Sequence, residues 1–184
     1  MEISNELLIS AAHSMFHGDA AQQHEGAAFF LTRQNSSDAL ITATEILFQS
    51  LLSPQSVTQD QSLINYLRYL ICCVIHSASS SESWFKYDRT FLDKIKNDFL
   101  TIQFTSSFPK NISEKLDQII ANFALNELPE QWPDFFPIIS KFLESSIESK
   151  EYSRLLNIFR IFYFFLNFLL FKSVLQGLVR WLRG

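Results

Sequence analysis

Apolar residues recur three and four positions apart along most of this chain, and short polar segments interrupt them. That spacing gathers them on one face of a helix. Ile3, Leu7, Leu8, Ala11, Ala12, Met15 and Phe16 predict a first helix. His17-Gly18-Asp19 breaks it, with Gly18 suited to a C-terminal cap and Asp19 to the next N-cap. A second helix runs from Ala20 to Arg33, with Ala27, Ala28 and Leu31 on one side. After Gln34-Asn35-Ser36-Ser37-Asp38, a third covers Ala39 to Leu52 and carries Leu40, Ala43, Ile46, Leu47 and Leu51. Ser53-Pro54-Gln55-Ser56 turns the chain again. The fourth helix, about Thr58 to His76, buries Leu63, Ile64, Leu67, Leu70, Ile71, Val74 and Ile75.

Ser77 to Ser83 reads as a serine-rich connector that packs no core. A fifth helix, from near Asp88 to about Ile102, carries Phe91, Leu92, Ile95, Phe99 and Leu100. The sixth opens at Asn111 and carries Ile112, Leu116, Ile119, Ile120, Phe123 and Ala124. Then comes Leu128-Pro129-Glu130-Gln131-Trp132-Pro133-Asp134-Phe135-Phe136-Pro137. Proline lacks an N–H and fixes φ, so Pro129 is expected to end one helix and Pro133 to fit the first turn of the next. With Phe135 beside them, these residues read as a tight structural corner in which Trp132 fills the gap between two short-looped helices. The seventh helix carries Phe135, Phe136, Ile138, Ile139, Phe142 and Leu143, and Ser149-Lys150-Glu151 leads into the eighth. The fold class is all-α, about four antiparallel helix pairs. No strict period marks an ankyrin or TPR array. An irregular HEAT-like α-solenoid and a compact non-repeat bundle both fit the helix pattern.

Composition narrows the function classes. A chain of 184 residues, 47% hydrophobic with 19 phenylalanines, can bury its own core. Net charge is −4, so no basic footprint for nucleic acid is present. Met1 to Glu6 lacks the positive start and apolar run of a secretory signal. Cys72 and Cys73 are adjacent inside an apolar run and read as free thiols, because neighbours on a helix point apart. His13 and His17 share a helix face but lack a third ligand nearby, so no metal is expected. There is no H-E-x-x-H, no G-x-S-x-G and no glycine-rich phosphate loop, so no enzymatic activity or cofactor is expected.

The corner resembles the W-P-x-x-W-P-x-F segment of nuclear transport receptors, the importin-β (karyopherin-β) family. Leu128 stands where the family often has tryptophan, whereas Trp132-Pro133 is intact. Leu7-Leu8 to Phe16, Gly18-Asp19, Ala28 to Leu31, Gln34 to Ala39 and Ile46-Leu47 follow the family's order, and Arg154 to Arg160 sits where its fourth repeat has an inner helix. The Asn35-Ser36 region followed by Ala39 looks closer to exportins than to importin-β. The resemblance covers about residues 3–160. It implies a HEAT-repeat superhelix that binds the GTP form of the GTPase Ran, carries cargo protein and touches Phe-Gly nucleoporins. It also implies shuttling between nucleus and cytoplasm, with this chain holding the Ran-facing end of a longer receptor.

Two polar rows are the candidate partner contacts: Gln61, Asn65 and Arg68 on the fourth helix, and Lys115, Gln118 and Asn122 on the sixth. Each falls opposite the apolar stripe, and any solenoid shows such outer rows. Residues 1–150 hold 18 acids and 10 bases, a net of −8, which suits a basic partner surface. An ordinary solvated acidic surface is the plainer reading.

The last 34 residues invert this, with one acid and five bases, a net of +4. From Leu155 to Phe171 the chain is apolar on all faces, whereas a surface helix needs one stripe only. The expected division is therefore repeats over 1–154 and a hydrophobic tail over 155–184. The tail reads as a buried helix awaiting a further repeat, as an anchor making this a small membrane-associated protein through 155–183, or as a divergent end. A span needs about 20 apolar residues, and Arg160 and Asn167 interrupt this run. Val174, Leu175, Leu178, Val179 and Leu182 are expected to fold back as a short cap.

Overall fold

The computed structural model describes residues 5–34, 36, 38–52, 60–80, 82–128 and 130–183; for 5, 82, 83 and 171–183 it describes the backbone alone. The described residues form eight α-helices and no strand: α1 Asn5–His17, α2 Ala20–Gln34, α3 Ala39–Leu52, α4 Gln61–Ser79, α5 Arg89–Thr105, α6 Lys110–Glu127, α7 Phe135–Glu148 and α8 Tyr152–Arg183. A 3₁₀ turn, Glu82–Lys86, follows α4. The chain is all-α and built of helix pairs, as a HEAT-like α-solenoid requires. It falls into two compact units: one runs to Arg89 and adds Pro109–Lys115, and the other takes Thr90–Phe108 and everything from Leu116 onward.

In the first unit α1 packs on α2 and α3 on α4, and α4 also meets α1 and α2. Asp19 caps α2 as expected. Its Oδ1 accepts from the N–H groups of Ala21 and Gln22, while Gln22 Oε1 accepts from the Asp19 N–H. This reciprocal box satisfies orphan donors of the first turn. Asp60 does the same for α4, accepting from Ser62 and Leu63, and these bonds hold its carboxyl below the usual range. The helix therefore begins after Asp60, later than expected, and the Pro54 turn lies outside the described residues.

The buried side of α2 differs from the expected one. Gly26 and Phe30 are buried, while Ala28 and Leu31 are exposed. A Cβ on Gly26 would stand 2.7 Å from the Ala11 carbonyl oxygen and 2.6 Å from Met15 Cγ. The absent side chain lets the two backbones close up, a contact that apolar periodicity cannot reveal. Gly26→Ala gains about 1 kcal/mol of helix propensity but must displace the α1 backbone, so a net loss of about 1–2 kcal/mol is expected. Urea unfolding measures it; a stabilised variant would show that α1 yields freely.

The serine-rich segment also packs more than expected. Ala78 and Ser79 are buried in the last turn of α4, and Ser79 Oγ donates to the His76 carbonyl. Small side chains whose hydroxyls bond their own helix can be buried at little cost. Trp84, in the 3₁₀ turn, is fully buried.

In the second unit the order of bonded pairs sets the direction of the helices. Lys96 of α5 meets Glu127 of α6, and Gln103 meets Asp117, so α5 and α6 run antiparallel. Phe104 of α5 stacks on Phe142 of α7, with centroids 4.4 Å apart, and Arg160 of α8 reaches Asp117 of α6. First helix thus faces first helix and second faces second, the layering of consecutive helix pairs in a repeat stack. The turn from α7 to α8 is closed by Lys150 at φ 57°, with the Lys150 N–H donating to Ile147 and the Glu151 N–H to Ser146.

The expected fold-back cap is absent, because α8 continues unbroken to Arg183. Lys172-Ser173 carries no stop signal, and a lone Gly177 costs a helix only about 1 kcal/mol. The change of composition at Leu155 falls inside this helix.

Candidate functional site

The proline–tryptophan corner is assembled around a buried cation. Lys96 occupies a position on the apolar stripe of α5, between Leu92 and Phe99. Its side chain is 2% exposed, and that of Glu127, at the end of α6, is 1% exposed. Lys96 Nζ lies 2.9 Å from Glu127 Oε2 and 2.8 Å from Asp93 Oδ1, donates to the Gln131 carbonyl at 3.1 Å, and sits 5.3 Å from the centroid of the Trp132 ring. Removing an ammonium from water is costly, and three oxygens and a π-face offset that cost here. A helix end, a turn carbonyl and the tryptophan are thereby tied to one atom of α5.

Trp132 is 4% exposed, as expected, and lies 4.8 Å from Phe135, which is fully buried. The structure adds α5 to the expected neighbours, since Lys96 faces the ring. Pro133 is exposed and precedes the helix, contrary to the expectation that it sits in the first turn. Asp134 holds the cap position without a side-chain bond, and Pro137 is the proline inside α7. Pro129 lies outside the described residues.

A second polar cluster crosses the same unit. Asp117 is fully buried and accepts from Gln103 Nε2 at 2.5 Å and from Arg160 Nε at 2.7 Å. Arg160 also donates to Asn157 Oδ1 at 2.6 Å. One carboxylate thus joins α5, α6 and α8. Sequence reading missed Lys96, Gln103, Asp117, Glu127 and Arg160 as a group. Their signal was a polar residue at a stripe position: Lys96 and Gln103 among Leu92, Phe99 and Phe104, and Asp117 among Ile112, Leu116 and Ile120.

The polar rows divide. Gln61 is exposed and donates to Asn65, which is half-buried. Arg68 turns inward instead of facing solvent. Its Nε donates to Ser50 Oγ and its Nη2 to the Ser50 carbonyl at 2.5 Å, so it closes the C-terminal turn of α3. Burial also weakens its hold on its proton. Asn122 is likewise buried, at 4% exposure, in an α6 whose stripe is wider than the apolar residues alone suggest. Lys115 and Gln118 are half-buried.

Lys115 belongs to the first unit, where its charge acts on Cys72, Cys73 and His76 of α4. Burial raises both thiols, so neither is poised as a thiolate nucleophile. Burial first, and the Lys115 charge second, push His76 down from 6.5 to about 4. The folded chain therefore keeps His76 neutral where the unfolded chain binds a proton. Stability contributed this way is present above pH 6.5 and is lost as pH falls toward 4. Allowing for partial exposure, the loss is about 1–2 kcal/mol. Urea unfolding at both ends of that window is expected to show a smaller decline for His76→Gln than for the parent; equal declines would contradict it. Among the described residues no group of three or more His, Cys, Asp or Glu side chains is placed to hold a metal ion.

Comparison with known families bears on the same region. Residues 109–170 match the exportin 1-like protein family. The matched stretch holds α6, the Trp132 corner, α7 and α8 as far as Leu170, and over that short stretch it supports the importin-β/exportin family. No curated protein and no solved structure matches the chain.

Proposed function

We propose that this chain is the GTPase-facing portion of an exportin-like transport receptor, a non-enzymatic binding protein that recognises Ran in its GTP form. The observation that carries this reading is the exportin 1-like match over residues 109–170, which includes the Trp132 corner. Paired helices stacked first on first and second on second support it. On this reading the protein works with cargo protein and Phe-Gly nucleoporins and shuttles between nucleus and cytoplasm. The net of −8 over residues 1–150 favours a partner with basic surface. Of the candidate contacts, Gln61 is exposed, and Asn65, Lys115 and Gln118 are half-buried. Arg68 ties α4 to the end of α3, and Asn122 is buried in α6.

Retention of Ran on immobilised chain tests this. Ran loaded with GTP is expected to be held and Ran loaded with GDP to wash through. Gln61→Arg is expected to reduce retention without changing unfolding. Equal retention of both nucleotide forms, or of neither, would contradict the reading.

A further inference from the structure

The outward face of α8 carries a pattern that neither the corner nor the polar rows use. Tyr152, Leu156, Phe159, Tyr163, Leu166 and Leu170 follow one another at intervals of four, three, four, three and four. That alternation is the a/d spacing of a coiled-coil seam, which lets two long helices interlock side chains along their length. All six are between 54% and 74% exposed. The opposite side of the same helix, at Ile158 and Ile161, is buried at 1% and 0%. As far as Phe165 the helix is thus two-faced, one side packing in its own unit and the other built for a helix that the unit does not supply; from Leu166 to Leu170 it is exposed all round.

We propose that this seam pairs with the α8 seam of a second copy of the chain. The area suffices. Six side chains of about 200 Å² each, exposed by about three-fifths, offer roughly 700 Å² per copy, and a pair would bury about 1,400 Å², inside the range of about 1,200–2,000 Å² for specific interfaces. Along the seam itself electrostatics raise no barrier. Arg154 pairs with Glu151, Arg160 is held by Asp117, and residues 161–171 carry no charge.

A lipid bilayer fits less well. Tyr152–Leu170 is long and apolar enough to span one, with mean hydropathy 1.3. Yet inserting α8 would pull Arg160 from Asp117, which is fully buried, and leave that carboxylate without its cation.

Sedimentation equilibrium of the full chain across a dilution series is the test. The expected mass is twice the 21.3 kDa of one copy at high concentration, falling toward one copy on dilution. Phe159→Glu and Leu166→Glu each place a charge in the seam at an exposed position, so helicity by circular dichroism is expected to persist. Each is expected to weaken the dimer by at least about thirtyfold, the effect of losing a central interface residue. Phe85→Glu, at a 71% exposed aromatic outside the seam, is expected to leave it intact. A chain of single-copy mass at every concentration overturns the proposal, as does a dimer that neither seam variant weakens. A single-copy chain that floats with vesicles of phosphatidylcholine and phosphatidylserine overturns it in favour of lipid.

Discussion

Trp132→Ala should remove about 3–5 kcal/mol of stability, the range for deleting a large buried aromatic from a packed site. The ring is 4% exposed and touches Phe135, and its face meets the ammonium of Lys96. Its loss opens a cavity at the corner and takes one of the partners that compensate the buried cation. Typical domains hold about 5–15 kcal/mol in reserve, so the variant should melt much earlier and aggregate more readily. Trp132→Phe, which keeps an aromatic face but less volume, should fall between the two. Thermal unfolding measures this. An unchanged melting temperature with lost partner binding would place Trp132 in an interface instead of the corner.

Lys96→Ala should cost a similar amount for a different reason. The variant takes the Lys96 ammonium away from Glu127, whose side chain is 1% exposed. Breaking a buried pair from one side costs about 3–5 kcal/mol, whereas replacing both partners by apolar groups of like size is often near neutral. Lys96→Met combined with Glu127→Leu should therefore recover most of the loss. Urea unfolding of the two single variants and the double variant decides it. A double variant as unstable as the sum of the singles would show that the pair contributes nothing as a pair and that each residue acts through other contacts.

Much of the local structure was legible in the sequence, for identifiable reasons. The bounds of α3 were legible because capping residues precede Ala39 and the apolar run ends at Leu52. The Asp19 cap followed from a short acceptor placed just ahead of a helix. Burial of Trp132 followed from a large aromatic between two helix ends. What escaped depends on contacts distant in sequence. Lys96 and Glu127 are 31 positions apart, and Asp117 and Arg160 are 43 apart, so neither pairing leaves a local trace. Arg68 read as a surface residue because its partners, the Ser50 hydroxyl and carbonyl, lie 18 positions away on another helix. Gly26 was invisible to a pattern built on apolar side chains, since what it contributes is the lack of one. The anomaly of α8 was visible as composition, but the split between its buried and open faces required the packed unit.

The proposed Ran-binding role is tested most directly by equilibrium titration of the intact chain with Ran held in each nucleotide state. The expected result is binding to the GTP form at least about tenfold tighter than to the GDP form, a difference of about 1.4 kcal/mol or more. Equal affinities, or no binding to either form by a chain that unfolds cooperatively, would contradict it.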